Sequence, residues 1–146
     1  MDGYGSLLYL NYPALKVLTI LNNLHYQKFK TNKKSKMDSN EFERSKVFSF
    51  KESIDYSDGG IVSKTVLKKQ TGNISLFSFA KGEALSEHTA PFDAMIMIVD
   101  GSGEVIIGGK SFILKEGETI IMPANITHAV NAVEKFKMVL TMIKSS

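Results

Sequence analysis

From Tyr56 onward the chain is cut repeatedly by turn signals, and the pieces between are short, apolar and rich in β-branched or aromatic residues. The breaks are Tyr56-Ser-Asp58-Gly59-Gly60, Gln70-Thr-Gly72-Asn73, Lys81-Gly82-Glu83, Asp100-Gly101-Ser102-Gly103, Gly108-Gly109-Lys110, Lys115-Glu-Gly117-Glu118 and Pro123-Ala-Asn125. Asp-Gly and Gly-Gly steps adopt positive φ at low cost, so each break reverses the chain cheaply. Segments this short cannot be stable helices, and strands joined by such turns close into an antiparallel sandwich or barrel.

The segments themselves read as strands. Val47-Phe48-Ser49-Phe50 is a short candidate, followed by Ile61 to Leu67 and Ile74 to Phe79. In the last of these Phe77 and Phe79 share one face and Ile74 and Leu76 the other, because successive side chains alternate across a strand. Phe136, Met138, Leu140 and Met142 alternate with Lys137, Val139 and Thr141 in a closing strand of period two. Ala94 to Val99 is apolar on both faces, Ala94/Ile96/Ile98 and Met95/Met97/Val99, so it must be covered on both sides. A second sheet and a dimer partner, or the N-terminal arm, would cover it. A homodimer is the expectation, since a bare face would be a large apolar patch. After Met37 no segment has a helical period.

The chain of 146 residues holds one domain with appendages. Residues 1–46 form an N-terminal arm and residues 47–146 the barrel domain. The arm carries eight Lys or Arg against four Asp or Glu, whereas the remainder has ten basic and eleven acidic groups. The basic pI therefore belongs to the arm, and a nucleic-acid groove in the barrel is not expected. Within the arm an apolar patch, Leu7-Leu8-Tyr9-Leu10, precedes an amphipathic pattern from Ala14 to about Tyr26, with leucines at 15, 18, 21 and 24. The arm is thus expected to be partly helical. Asn11, Pro13 and Lys16 interrupt it well short of the ~20 apolar residues of a membrane span. No basic region or small-residue cleavage site marks a signal peptide, and the protein is expected in the cytoplasm. Residues 28–36, rich in lysine, would suit an anionic lipid surface. The composition shift at Lys33-Lys34-Ser35-Lys36 also makes Met37 an alternative start.

Cysteine is absent, so any metal must be held by histidine, carboxylate or water. Two histidines bracket the central run. Gly82, five residues, His88, and later Gly101, match the opening and closing of G-x5-H-x-H-x3,4-E-x6-G. Gly117, five residues, Pro123 and then His128 match G-x5-P-x-G-x2-H-x3-N. On these positions residues 47–143, and most strongly 74–143, resemble the cupin superfamily, small β-barrels of two packed antiparallel sheets.

That resemblance implies a cupin or jelly-roll-like all-β barrel. It also shows departures. Metal-binding cupins draw two histidines and a glutamate from the first motif and one histidine from the second. Here Ala90 stands at the second histidine and Ala94 at the glutamate. Asn125 replaces a glycine, and tolerates left-handed backbone. Ala132 stands at the final asparagine, with Asn131 one place earlier.

The resemblance thus leaves His88 and His128 as candidate ligands of a divalent metal ion of unknown identity, and His88, His128, Ala90 and Ala94 as candidate residues of a ligand pocket. Neutral imidazole suits a divalent ion, yet catalytic zinc sites use three protein ligands and water. Asp93 and Glu87 each lie one residue from a useful position, hence on the opposite strand face, and His25 sits in the arm. Without metal, the two alanines would widen an apolar mouth tipped by two imidazoles, suited to a small organic ligand. Three readings stay open: a small-molecule-binding barrel with a weakly ligated ion, a metal-dependent enzyme of dioxygenase or isomerase type, and a ligand-sensing or scaffolding module. The blander alternative is a pair of polar residues at a wet mouth.

Overall fold

The structure, a computed structural model, describes residues 42–144. The apolar patch at 7–10, the amphipathic segment 14–26, His25, the lysine-rich stretch and Met37 lie outside the described residues.

The eight described strands are β1 (Ile61–Lys69), β2 (Gly72–Phe79), β3 (Ala84–His88), β4 (Ala94–Ile107), β5 (Lys110–Lys115), β6 (Thr119–Met122), β7 (His128–Asn131) and β8 (Phe136–Ile143). All pairings are antiparallel, and no helix occurs among the described residues. They form two sheets, β1-β2-β8-β4-β6 and β3-β7-β4-β5, that share the long strand β4.

One expectation fails at this shared strand. Asp100-Gly101-Ser102-Gly103 is not a turn: β4 runs straight through it, pairing with β8 up to Gly101 and with β5 from Ser102. The register slips between Ile98 and Asp100, and Gly101 has φ of 76°. A bulge of this kind, here with Val99 as the extra residue, bends a strand without ending it, and β4 passes from one sheet to the other at Gly101 and Ser102. Gly103 also admits the Phe136 ring, whose Cε2 would lie 2.8 Å from any Cβ placed there.

Between the sheets lies the main core. Phe77, Phe79, Ile96, Ile98, Val105, Val130, Phe136 and Met138 are buried in it, with Phe79 and Phe136 stacked at 4.6 Å and 6°. The alternation read in β2 and β8 is what supplies these rings and leaves Ile74, Leu76 and Val139 on the outer face.

That outer face is partly covered by the chain's own residues 42–56. Ile54 is 1% exposed and packs with Leu76 and Val139, and Phe42, Phe50, Val62, Val66, Ile74, Met97 and Val99 complete the cluster. The strand expected at 47–50 is absent. Phe48 packs its ring on Phe42 at 4.8 Å and on Phe50 at 5.3 Å, so this stretch folds over itself as a strap instead of alternating across a sheet. The second face of β4, for which a dimer partner was expected, is thus covered at Met97 and Val99 from within the chain.

A polar clasp fixes the strap. The Tyr56 hydroxyl donates to Asp100 Oδ2 at 2.7 Å, Lys51 Nζ reaches Asp100 Oδ1 at 2.9 Å, and buried Lys137 donates to the Lys51 carbonyl at 2.6 Å. Lys51 holds the Asp100 carboxyl below the usual carboxylate range, although partial burial opposes it, and the Tyr56 hydroxyl adds to the lowering.

Candidate functional site

His88 ends β3, His128 begins β7, and the register places them directly opposite each other. His128 also faces Ile107, the last residue of β4. Three strand ends therefore meet at one rim of the smaller sheet. Alternation along β7 puts His128 on the side of Val130 and Ala132, toward the core.

His88 reaches that side by an irregularity the sequence does not announce. Leu85 pairs with Val130 and His88 with His128, three residues against two, so β3 bulges between them. Without the bulge Glu87, and not His88, would share the inward face with Leu85. With it Glu87 is exposed. Bulges commonly re-aim side chains next to functional sites.

The ring centroids lie 4.4 Å apart with planes at 66°. His88 Nδ1 is 2.7 Å from the Ser86 carbonyl and His128 Nδ1 is 3.0 Å from the Ile126 carbonyl. A carbonyl oxygen only accepts, so each Nδ1 carries the proton and each Nε2, in the neutral ring, carries a lone pair. Burial pushes His128 below the ordinary histidine range and His88 acts the same way, while the Ile126 carbonyl opposes them. His128 is 5% exposed and His88 half-buried. The result is a pair of adjacent imidazoles, each oriented by backbone, each with one free ligating nitrogen.

The other candidates resolve individually. Ala90 and Ala94 are both buried. Ala94 belongs to the core beside Met122 and Met142, and the Ala90 carbonyl accepts the Asn125 amide at 2.7 Å, tying it to the loop that leads into His128. Asn125 has φ of 62°, the left-handed backbone that the family's glycine would adopt. Asp93 Oδ1 accepts the Ala124 amide at 2.8 Å and so caps the neighbouring turn. Asn131 points to the opposite face, donating to Glu104 Oε2 at 2.8 Å.

Could these residues hold the metal of the complete motif? Among the described residues no group of three or more His, Cys, Asp or Glu is placed to hold an ion. A closed four-ligand centre does not fit, since alanine fills two of its positions. Two imidazole nitrogens fit an ion whose remaining positions are filled by water or by a bound ligand.

Comparison with known proteins settles the fold family. Residues 75–144 match the cupin domain, Cupin_2. A conserved Streptococcus pyogenes protein of unknown function is 35% identical and superposes with a TM-score of 0.70, over 79% of this chain and 99% of that one. The chain belongs to the cupin superfamily. A cupin 2 conserved barrel domain protein from Leptotrichia buccalis is 45% identical over 64% of this chain, with a TM-score of 0.63, and the match spans 46% of that longer protein. A cupin superfamily protein from Desulfitobacterium hafniense, 23% identical with a TM-score of 0.68 over 73% of this cupin and 97% of its own length, shares the fold. No curated protein matches the sequence significantly. Among the described residues of this cupin, no helix is long and apolar enough to cross a membrane.

Proposed function

We propose that this cupin binds a small organic molecule at the rim of its barrel, with His88 and His128 fixing the polar end of the ligand. The observation that carries this reading is the shared state of the two rings: their centroids lie 4.4 Å apart, both Nδ1 atoms are used on backbone carbonyls, and among the described residues neither Nε2 has a hydrogen-bond partner. A divalent ion held by these two nitrogens would be weakly ligated, and when bound would supply a Lewis-acid contact for an oxygen of the ligand. Apolar Ile107 and Phe112, which pack against the core on the same sheet, suit the carbon part of such a molecule.

Orientation by carbonyls favours binding over acid–base catalysis. A general base is commonly oriented by a carboxylate, and among the described residues neither histidine hydrogen-bonds to one. For a partner we infer a second copy of the chain, because Met95, Ile121 and Ile143 remain exposed on the larger sheet.

Thermal-shift screening tests the ligand reading with sugars, organic acids and aromatics, each with and without Mn2+, Zn2+ or Ni2+. The natural protein and the His88→Ala/His128→Ala double variant are run side by side, with elemental analysis of both. Ligands that stabilise the natural protein and not the double variant are the expected result. Equal stabilisation of both would place the site elsewhere.

A further inference from the structure

One row of side chains runs along the rim of the smaller sheet. His88 on β3 pairs with His128 on β7, His128 with Ile107 on β4, and Ile107 with Lys110 on β5. All four belong to the inner face. On β5, Leu114 is buried in the core and Phe112 packs against it, so alternation turns Lys110 to the same side. The Lys110 ammonium stands over the Phe112 ring, 5.2 Å from its centre, in agreement with that placement.

The turn between Ile107 and Lys110 has two residues, Gly108 and Gly109, with φ of 55° and 77°. Positive φ at both makes the tight hairpin whose twist matches its strands, so the register of Lys110 against Ile107 is fixed. The Gly108 amide donates to the Thr127 carbonyl at 2.8 Å, one residue before His128. Lys110 and the histidines are therefore presented by one hydrogen-bonded unit. Lys110 carries the only permanent charge of the row. Among the described residues it forms no ion pair, whereas Lys46, Lys51 and Lys81 do. The carboxylates nearest in sequence to His88 are turned elsewhere: Glu87 is exposed at the bulge, and Asp93 caps the Ala124 amide.

We propose that the ligand of this site is a short-chain acid with oxygen at both ends, one end on the histidine pair or an ion held there, the other a carboxylate on Lys110. The inference rests on the ligand reading above and names the ligand's chemical class. Two strand spacings separate His128 from Lys110, about 10 Å between Cα atoms. A metal–oxygen bond takes up about 2 Å of this and a charge-assisted hydrogen bond about 2.8 Å, and the rest suits a chain of about five carbons. Those carbons lie over Ile107 and beside Phe112, both partly buried against the core. The exposed contact between Lys110 and the Phe112 ring is weak, and a carboxylate offers the ammonium a stronger partner. A neutral sugar or an uncharged aromatic leaves Lys110 without a role.

Calorimetric titration of the full chain tests this, with and without Zn2+, using glutarate and using valerate, which has the same number of carbons and a single carboxylate. The natural protein should bind glutarate at least tenfold more tightly than valerate. Lys110→Gln should erase that preference and Lys110→Arg should retain it. Lys115→Gln removes a charge from the opposite face of β5 and should behave as the natural protein does. Lys110 and Lys115 are exposed, and unchanged circular dichroism would confirm folding. Equal affinity for the two acids, or a preference that survives Lys110→Gln, would overturn this inference. Zn2+ binding that depends on the histidines, without binding of either acid, would overturn it and leave the histidine pair standing. A natural protein that binds neither Zn2+ nor either acid would overturn both readings.

Discussion

Replacing each histidine by asparagine separates the two jobs of its ring. An asparagine amide can donate to a carbonyl much as Nδ1–H does, but it has nothing at the position of Nε2. His128→Asn should therefore keep the hydrogen bond to the Ile126 carbonyl, now 3.0 Å long, and lose only the ligating nitrogen. His128→Ala loses both. Its partner carbonyl is in a part-buried bond, so removing the donor should cost about 1–3 kcal/mol of stability. The corresponding Ser86 carbonyl is exposed and water can replace its donor, so His88→Ala should cost under about 1 kcal/mol. Urea denaturation at pH 7.5 measures these differences, and titration with Zn2+ or Ni2+ measures binding. Both asparagine variants should lose at least tenfold in metal affinity, which is about 1.4 kcal/mol, with His128→Asn staying more stable than His128→Ala. If His128→Asn binds the ion as the natural protein does, Nε2 is not the binding atom and the site has been misread.

Three further outcomes follow from the fold. Ile54→Ala removes three carbons from a fully buried site under the strap and should destabilise the protein by about 2–4 kcal/mol in urea; a loss below about 0.5 kcal/mol would mean the strap does not stay on the sheet. Gly103→Ala should cost about 1–3 kcal/mol by overpacking, because the new methyl meets the Phe136 ring at 2.8 Å and that ring is locked in its stack on Phe79; an unchanged melting curve would show the stack to be soft. Asp100 has a folded pKa below its unfolded value of about 3.9, so its contribution is present above that value and is lost as the pH falls through the folded one. Strap amides should accordingly lose protection, measured against their intrinsic exchange rates, below about pH 4, and Asp100→Asn should show the lower protection already at pH 7.

Much of the barrel is legible because its physics is local. Glycine turns space the strands, and period-two alternation in β2 and β8 separates Phe77, Phe79, Phe136 and Met138 from Leu76 and Val139. Where sequence reading fails, the deciding contact is distant. Gly101 and Gly103 read as a turn until Phe136, more than thirty residues away, occupies the space their missing side chains leave. The Phe48 segment reads as a strand until its ring packs at a tilt on Phe42 and edge-on to Phe50. The two-faced apolar pattern of β4 requires cover, but alternation alone does not say whose residues provide it, and part of the cover is the strap.

At the site, motif spacing picks out His88 and His128, and the structure pairs them. It cannot reveal the bulge between Leu85 and His88, because a bulge depends on the register against β7. Nor can it reveal that Ser86 and Ile126 carbonyls fix the tautomers. Asp93 lies just before β4, where its carboxylate caps a turn, and Glu87 is turned outward at the bulge.

Nitrogen-detected NMR of the histidine rings tests the central claim most directly. At pH 7.5 both His88 and His128 should be Nδ1–H tautomers with unprotonated Nε2, and adding Zn2+ should shift the Nε2 resonances of both rings together while leaving Nδ1 protonated. An Nε2–H tautomer at either residue, or a metal-induced shift confined to one ring, would contradict the reading of these two histidines as a single binding pair.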